Sequence, residues 1–266
     1  MIHKQYLIRC KVPDVKVSYN IGTQIGSLVN FKVSQGNKIL GKKWHDEGEL
    51  YNNNHKAKLS IARIRAVKAE YNKAYIKAVG YDFILDIRFY IPSIAKAFDK
   101  ATLLDDTFTI TDNFGEKSFK IIKEKRMKPP KFFTTMNYQL RTPSALTTKS
   151  KGENEKKVLN PKDSIFIDKL QQHLLRRTEL LYRFGNAREG LEEGIEDLSF
   201  KIIGDKLKEK KIFFRQGKAG IKGYEYNFQL TVPIEVHKMI YFGGFLESTS
   251  QGFGYLDTLP EKYFAK

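Results

Sequence analysis

The 266-residue sequence predicts an α+β protein of two tandem ferredoxin-like (RRM-like, βαββαβ) domains. Three observations predict it. Strand-period alternation marks residues 5–12, 82–90 and 223–232. Helix-period blocks lie between the strands. A charged stretch broken by two prolines, residues 123–131, ends one round of elements, and the same order then begins again.

In residues 5–12, Tyr6, Ile8, Cys10 and Val12 alternate with Leu7, Arg9 and Lys11, the period of a strand. Residues 22–33 space Ile25, Leu28 and Val29 as one helix face, after a start at Asn20, Gly22 and Thr23. Residues 35–57 are polar, dotted with Gly and Asn, and read as a loop. A basic strand follows from Lys58, then strands at 75–79 and 82–90, where Phe83, Leu85, Ile87 and Phe89 alternate. Pro92 opens a helix at a favoured first-turn position, and residues 108–122 read as a closing hairpin or strand. This order, β-α-β-β-α-β, is the ferredoxin-like pattern.

The second round has a strand-like segment at 132–148 and a long helix at 161–182 with Ile165, Ile167, Leu170, Leu174 and Leu181 inward. Two strands are expected in 200–214, around residues 206–210. An alternating strand at 223–232, a short helix at 233–242 and a last strand starting within 252–256 complete it. Residues 183–199 read as disordered. The expected domains are 1–127, holding the catalytic loop, and 128–266, holding a Gly-rich loop.

Lys and Arg number 47 against 30 Asp and Glu, a formal net charge of +17. Both halves carry the excess, so it belongs to the folded surface rather than to a tail. Such a surface attracts polyanions, nucleic acid first among them. The single cysteine, Cys10, excludes an internal disulfide and a cysteine-based zinc module. No apolar stretch suits a signal peptide or a membrane span, which points to a cytoplasmic protein.

The most specific motif is residues 243–254, GGFLESTSQGFG, in which glycines bracket a hydroxyl-rich centre. Gly244, Gly252 and Gly254 permit positive φ and a close backbone approach to phosphate. Ser248, Thr249 and Ser250 add donors. The segment runs helix, loop, strand and lacks the lysine of an ATP loop, so the nucleotide-triphosphate reading fails.

A Gly-Phe-Gly loop closing a basic protein of two ferredoxin-like domains resembles the CRISPR-associated repeat-processing endoribonucleases, part of the repeat-associated RNA-binding superfamily. Gly252-Phe253-Gly254 fits the family loop fully, while Leu246 replaces a glycine of its first half. Tyr6 to Arg9 and Val17 to Asn20 look like the family's opening strand and exit. Trp44-His45-Asp46-Glu47 looks like its histidine loop, and the segment from Thr142 to Leu146 resembles its second-domain entry.

The resemblance implies that His45 carries proton transfer. Lys58 matches the family's lysine if residues 51–56 are an insertion. At the position of the helix tyrosine stands Asn30 or Phe31, neither a proton carrier, and Tyr51 is the substitute from the loop. It further implies cleavage of CRISPR precursor RNA within its repeats, giving 2′,3′-cyclic phosphate and 5′-hydroxyl ends. The partners would be repeat RNA and other effector subunits, with the protein a monomer or homodimer and no cofactor. The alternative is a non-catalytic relative that holds guide RNA in an effector complex. An ordinary tandem RRM binder lacks its RNP1-like aromatic motif here.

The chemistry asks for such residues independently. RNA carries its own nucleophile, so a cutter needs a base, an acid and positive charge for the phosphorane. Histidine suits either proton role, and Lys42 and Lys43 beside His45 suit the phosphate. His55 is the reserve candidate; His3, His173 and His237 read as structural or exposed. No His pair has metal-ligand spacing, so no metal is expected. Arg63, Arg65 and Lys68 with Tyr71 and Tyr75 form a basic-aromatic stretch able to track RNA.

Overall fold

A computed structural model describes residues 1–18, 21–46, 49–51, 55–57, 59–72, 75–101, 106–148, 157–183, 190–213, 220–249 and 252–259; the side chains of residues 45–51, 55–57, 206, 212–213 and 220–221 fall outside it. The first half contains β1 (Ile2–Cys10), β2 (Lys16–Ser18), α1 (Gly22–Gly36), α2 (Lys38–Asp46), β3 (Glu49–Tyr51), β4 (His55–Ala57) and β5 (Ser60–Ala66). It continues with β6 (Ala69–Tyr71), β7 (Tyr75–Ala78), β8 (Asp82–Phe89), α3 (Pro92–Ala101), β9 (Thr107–Asp112) and β10 (Gly115–Arg126). Its main sheet has the order β5-β8-β1-β10-β9, antiparallel throughout. Without β9 this is the ferredoxin-like order, with α1 and α3 packed together on one face.

The second half contains β11 (Thr135–Leu140), β12 (Thr147–Thr148), β13 (Lys157–Val158), α4 (Phe166–Arg183), α5 (Leu191–Glu196), β14 (Ser199–Phe213), β15 (Gly220–Thr231), α6 (Ile234–Gly243) and β16 (Leu256–Thr258). The sheet order β14-β15-β11-β16 repeats the pattern. Two ferredoxin-like units are therefore present, as the alternation predicts.

Five local expectations are corrected. Residues 35–57 are not a loop: they hold α2 and the β3–β4 hairpin. Asn37 caps α2 by accepting the Leu40 N–H (3.0 Å), and Trp44, 2 % exposed, anchors the helix in the core. The linker starts later than residue 123, because β10 pairs with β1 as far as Lys4↔Arg126, and the Lys4 ammonium bridges Glu124 (2.5 Å) and Asp99 (2.6 Å). Residues 199–213 form one strand with a register irregularity between Ile203 and Lys208, not two strands. On α4 the inward residues are Phe166, Leu170, Leu174, Arg177, Leu180 and Leu181, whereas Ile165 and Ile167 are exposed. Part of the segment expected to be disordered is the short helix α5, whose Leu191 and Ile195 are buried.

Apolar side chains of both units form one contiguous core. On β8, Phe83, Leu85, Ile87 and Phe89 are buried as the alternation requires, and Asp86 and Arg88 of the opposite set are buried too. That second face of the first sheet meets the second half. Arg88, 1 % exposed, donates to the carbonyl of Leu256 (2.6 Å) and to Asp257 Oδ1 (2.9 Å). Its guanidinium lies 3.9 Å from the Tyr241 ring centre and 4.2 Å from that of Tyr255. Arg141 holds the other oxygen of Asp257 (2.8 Å), and His3 joins Asp86 (2.7 Å) to the Tyr241 hydroxyl (3.2 Å). Burial raises the Asp86 carboxyl, but the hydrogen bond and charge of His3 and the charge of Arg88 outweigh it and bring it to about 2.

Candidate RNA-processing site

α1 begins at Gly22 after Ile21, with no side-chain cap and no acidic residue in its first turn. Gly22, Gly26, Val29 and Asn30 follow at helical spacing and form one wall of a small cleft open to solvent. Ser60 and Ala62 of β5 form a second wall, Trp44 of α2 a third, and Thr249 and Gly252 of the Gly-rich loop close it from the second half. Asn30 thus lies on the cleft side of α1, whereas Phe31 is 57 % exposed.

His45 follows Trp44 in the last turn of α2. Lys42 and Lys43 are exposed on the same helix. Tyr51 ends β3 and pairs in register with His55, and β3 runs against α4 of the second half. Lys58 and Ser250 lie outside the described residues. The residue after Lys58, Leu59, is fully buried with φ 46°, a strained conformation for a branched side chain, and leads into Ser60.

The Gly-rich loop is locked by its own backbone. The N–H of Phe245 donates to Gly254 O (3.0 Å), that of Gly254 to Pro143 O (2.7 Å), that of Gly252 to Thr249 O (3.0 Å) and that of Phe253 to Ser248 O (3.4 Å). Arg177 of α4 donates to Gly244 O (3.2 Å), and the Glu247 carboxylate accepts from Thr147 Oγ1 (2.8 Å). Gly254 has φ 72°, and a Cβ there would stand 1.9 Å from Phe245 O; one on Gly252 would stand 2.8 Å from the Cα of Gly22. These glycines therefore allow the loop to close and to dock on α1. Of the described loop residues, Thr249 and Gly252 line the cleft, and Ser248 beside them is part-exposed.

The basic-aromatic stretch does not form one surface. Arg63 lies over Tyr255 (5.8 Å), where burial pulls its guanidinium below the ordinary value. Tyr75 sits under Lys16 and against Phe114 in a separate three-stranded sheet, β2-β7-β6. Opposite Arg63, burial raises the Glu225 carboxyl despite the charges of Lys210, Lys208 and Arg63.

Sequence reasoning missed Ser60 and the Arg88 junction. Uninterrupted burial of β8 has a trace in the sequence: Ile84, Asp86 and Arg88 supply apolar and pairable groups on its second face. Ser60 leaves no such trace, since a lone serine at a strand start is unremarkable.

Two ferredoxin-like units, a net charge of +17 and a glycine-locked loop docked on the first helix fit an RNA-handling protein of the repeat-associated class. Residues 126–258 match the family described as CRISPR associated protein Cas6, C-terminal, and the chain belongs to that family. No curated protein sequence matches it. Among solved structures, a Cas6-related protein from Pyrococcus furiosus superposes with a TM-score of 0.78 at 21% identity, covering 98% of this chain and 99% of that one. A protein described as CRISPR associated protein Cas6 gives 0.73 at 19% identity, covering 97% and 99%. An RAMP protein described as binding different RNA substrates gives 0.75 at 20% identity, covering 98% and 100%. At these identities the likeness is one of fold. Among the described residues no helix is long and apolar enough to cross a membrane.

Proposed function

We propose that this chain is a metal-independent endoribonuclease of the cytoplasm that cuts CRISPR precursor RNA within its repeats. The 2′-hydroxyl 5′ of the cut attacks the adjacent phosphorus, the bond to the 5′-oxygen breaks, and 2′,3′-cyclic phosphate and 5′-hydroxyl ends result. The observation that supports this reading is the cleft between α1, β5, Trp44 of α2 and the Gly-rich loop, with His45 the residue that follows Trp44 in α2. His45 moves the proton, with Lys58 and Tyr51 as its partners, while Lys42 and Lys43 draw in the phosphates. Residues 1–127 supply this machinery. Residues 128–266 supply the loop, where Ser248, Thr249 and Ser250 meet RNA and Gly244, Gly252 and Gly254 give the loop its shape.

One observation favours a second reading. The cleft face of α1 presents Asn30, which carries no transferable proton, where the family resemblance expects tyrosine. That suits a relative that holds guide RNA without cutting it.

The test is a repeat RNA with one 2′-deoxy residue 5′ of the cut, run beside native RNA with and without EDTA. Cutting of native RNA in EDTA, none of the deoxy substrate, and equal binding of both are expected. Hydrolysis of the deoxy substrate, stopped by EDTA, would refute the reaction in favour of a metal-activated water. Binding with no cutting of any repeat RNA would establish the second reading. His45→Ala should slow cleavage by ~10²–10⁴-fold with little change in affinity.

A further inference from the structure

Three side chains in the cleft are polar and make no side-chain hydrogen bond among the described residues: Asn30 of α1, Ser60 of β5 and Thr249 of the loop. Ser60 is 7 % exposed. Its hydroxyl keeps contact with the open cleft, so it can donate to an entering group without the cost of a sealed, unpaired donor. The floor around the three is apolar or glycine: Val29, Trp44, Ala62, Gly22, Gly26 and Gly252. Among the described residues no charged side chain lines the cleft. The N-terminus of a 15-residue helix, without a side-chain cap or a first-turn acid, opens on the same wall. Its dipole favours an anion there.

We propose that Asn30 Nδ2, Ser60 Oγ and Thr249 Oγ1 are the donors to the non-bridging oxygens of the phosphodiester being cut. This rests on the endonuclease reading and deepens it. As the 2′-oxygen bonds to phosphorus and the 5′-oxygen departs with a proton, the non-bridging oxygens gain negative charge. Neutral donors fixed in the cleft wall meet that charge without reorganising. Asn30 then acts as a hydrogen-bond donor in the reaction, although it moves no proton. The site also draws donors from both halves, so the scissile phosphate is held only when the loop is docked on α1.

The test compares the single-turnover rate at saturating protein with the affinity for uncleavable 2′-deoxy repeat RNA, in Ser60→Ala, Asn30→Ala, Asn30→Asp and Thr249→Val. Phe31→Ala, on the other side of α1, is the control. Each cleft variant should lose on the order of 10²-fold or more in rate, with affinity within about threefold. Asn30→Asp should lose most, since it sets an acceptor and a charge against the phosphate. Thermal melts establish that the variants are folded. Replacing one non-bridging oxygen by sulfur should slow the wild type in one diastereomer and slow Ser60→Ala by a smaller factor. Rates equal to that of Phe31→Ala in folded variants, or losses confined to affinity, would overturn the assignment while the endonuclease reading stands. A wild type that cuts no repeat RNA would overturn both.

Discussion

Arg88 and Ser60 lie on neighbouring strands of one sheet, both nearly sealed from solvent, and both at the junction of the two halves. Arg88 is surrounded by two aromatic rings, a carboxylate and a backbone carbonyl of the second half. Ser60 shares the cleft lining with Thr249 of the second half, and its hydroxyl makes no hydrogen bond among the described residues. The difference separates two uses of a buried polar group. Around Arg88 polar pairing fixes the orientation of the halves. At Ser60 no described side chain takes up the hydroxyl, which is what the proposed contact with a phosphate requires.

The comparison is broken most directly at Arg88. Arg88→Met leaves Asp86 and Asp257 short of a partner in a buried setting, so unfolding in urea should show a loss of about 3–5 kcal/mol. A loss below about 1 kcal/mol would mean that apolar packing alone orients the halves.

A smaller effect belongs to acid. His237 is completely buried, donates from Nε2 to Thr134 O (3.0 Å) and accepts the Tyr138 hydroxyl on Nδ1 (2.8 Å). Burial lowers its pKa from 6.5 to about 4. The unfolded chain therefore takes up this proton first. Stability is intact above about pH 6.5 and falls progressively down to about pH 4, by on the order of 3 kcal/mol in all. Asp86, lowered to about 2 from 3.8, adds its own loss only below pH 3.8. His237→Asn should flatten the stability profile between pH 6.5 and 4; an unchanged slope there would assign the acid sensitivity elsewhere.

The smallest effect sharpens the contrast. Ser60→Ala removes no bond, so the midpoint of unfolding should move by less than about 0.5 kcal/mol. A loss above 1 kcal/mol would show that Ser60 is tied into the folded protein after all.

These two sites also mark where the sequence was readable. Period-2 alternation in β1, β8 and β15 and the helix opened by Pro92 disclosed the repeated order, because a strand with one buried face writes that face into its sequence. α2 was hidden by its polar and glycine content: Gly41 packs against the backbone of Ser34, and a single tryptophan supplies the anchor. The Gly-rich loop was legible as a motif, yet its glycines face protein as much as any ligand, which only the positions of Phe245 and Gly22 reveal. Asn30 was singled out for what it lacks as a proton carrier, and its place in the cleft became visible only when α1 was set against β5 and the loop.

The contact of Gly252 with Gly22 joins positions 230 apart along the chain. Closing so long a loop is slow and entropically costly. During synthesis the first sheet can pair β1, β8 and β10 long before residue 252 leaves the ribosome, so the basic surface forms early while the cleft still gapes. A nascent chain would therefore gather RNA loosely before it can grip one phosphate, and a chain stopped short of residue 252 would keep that loose attraction and nothing more.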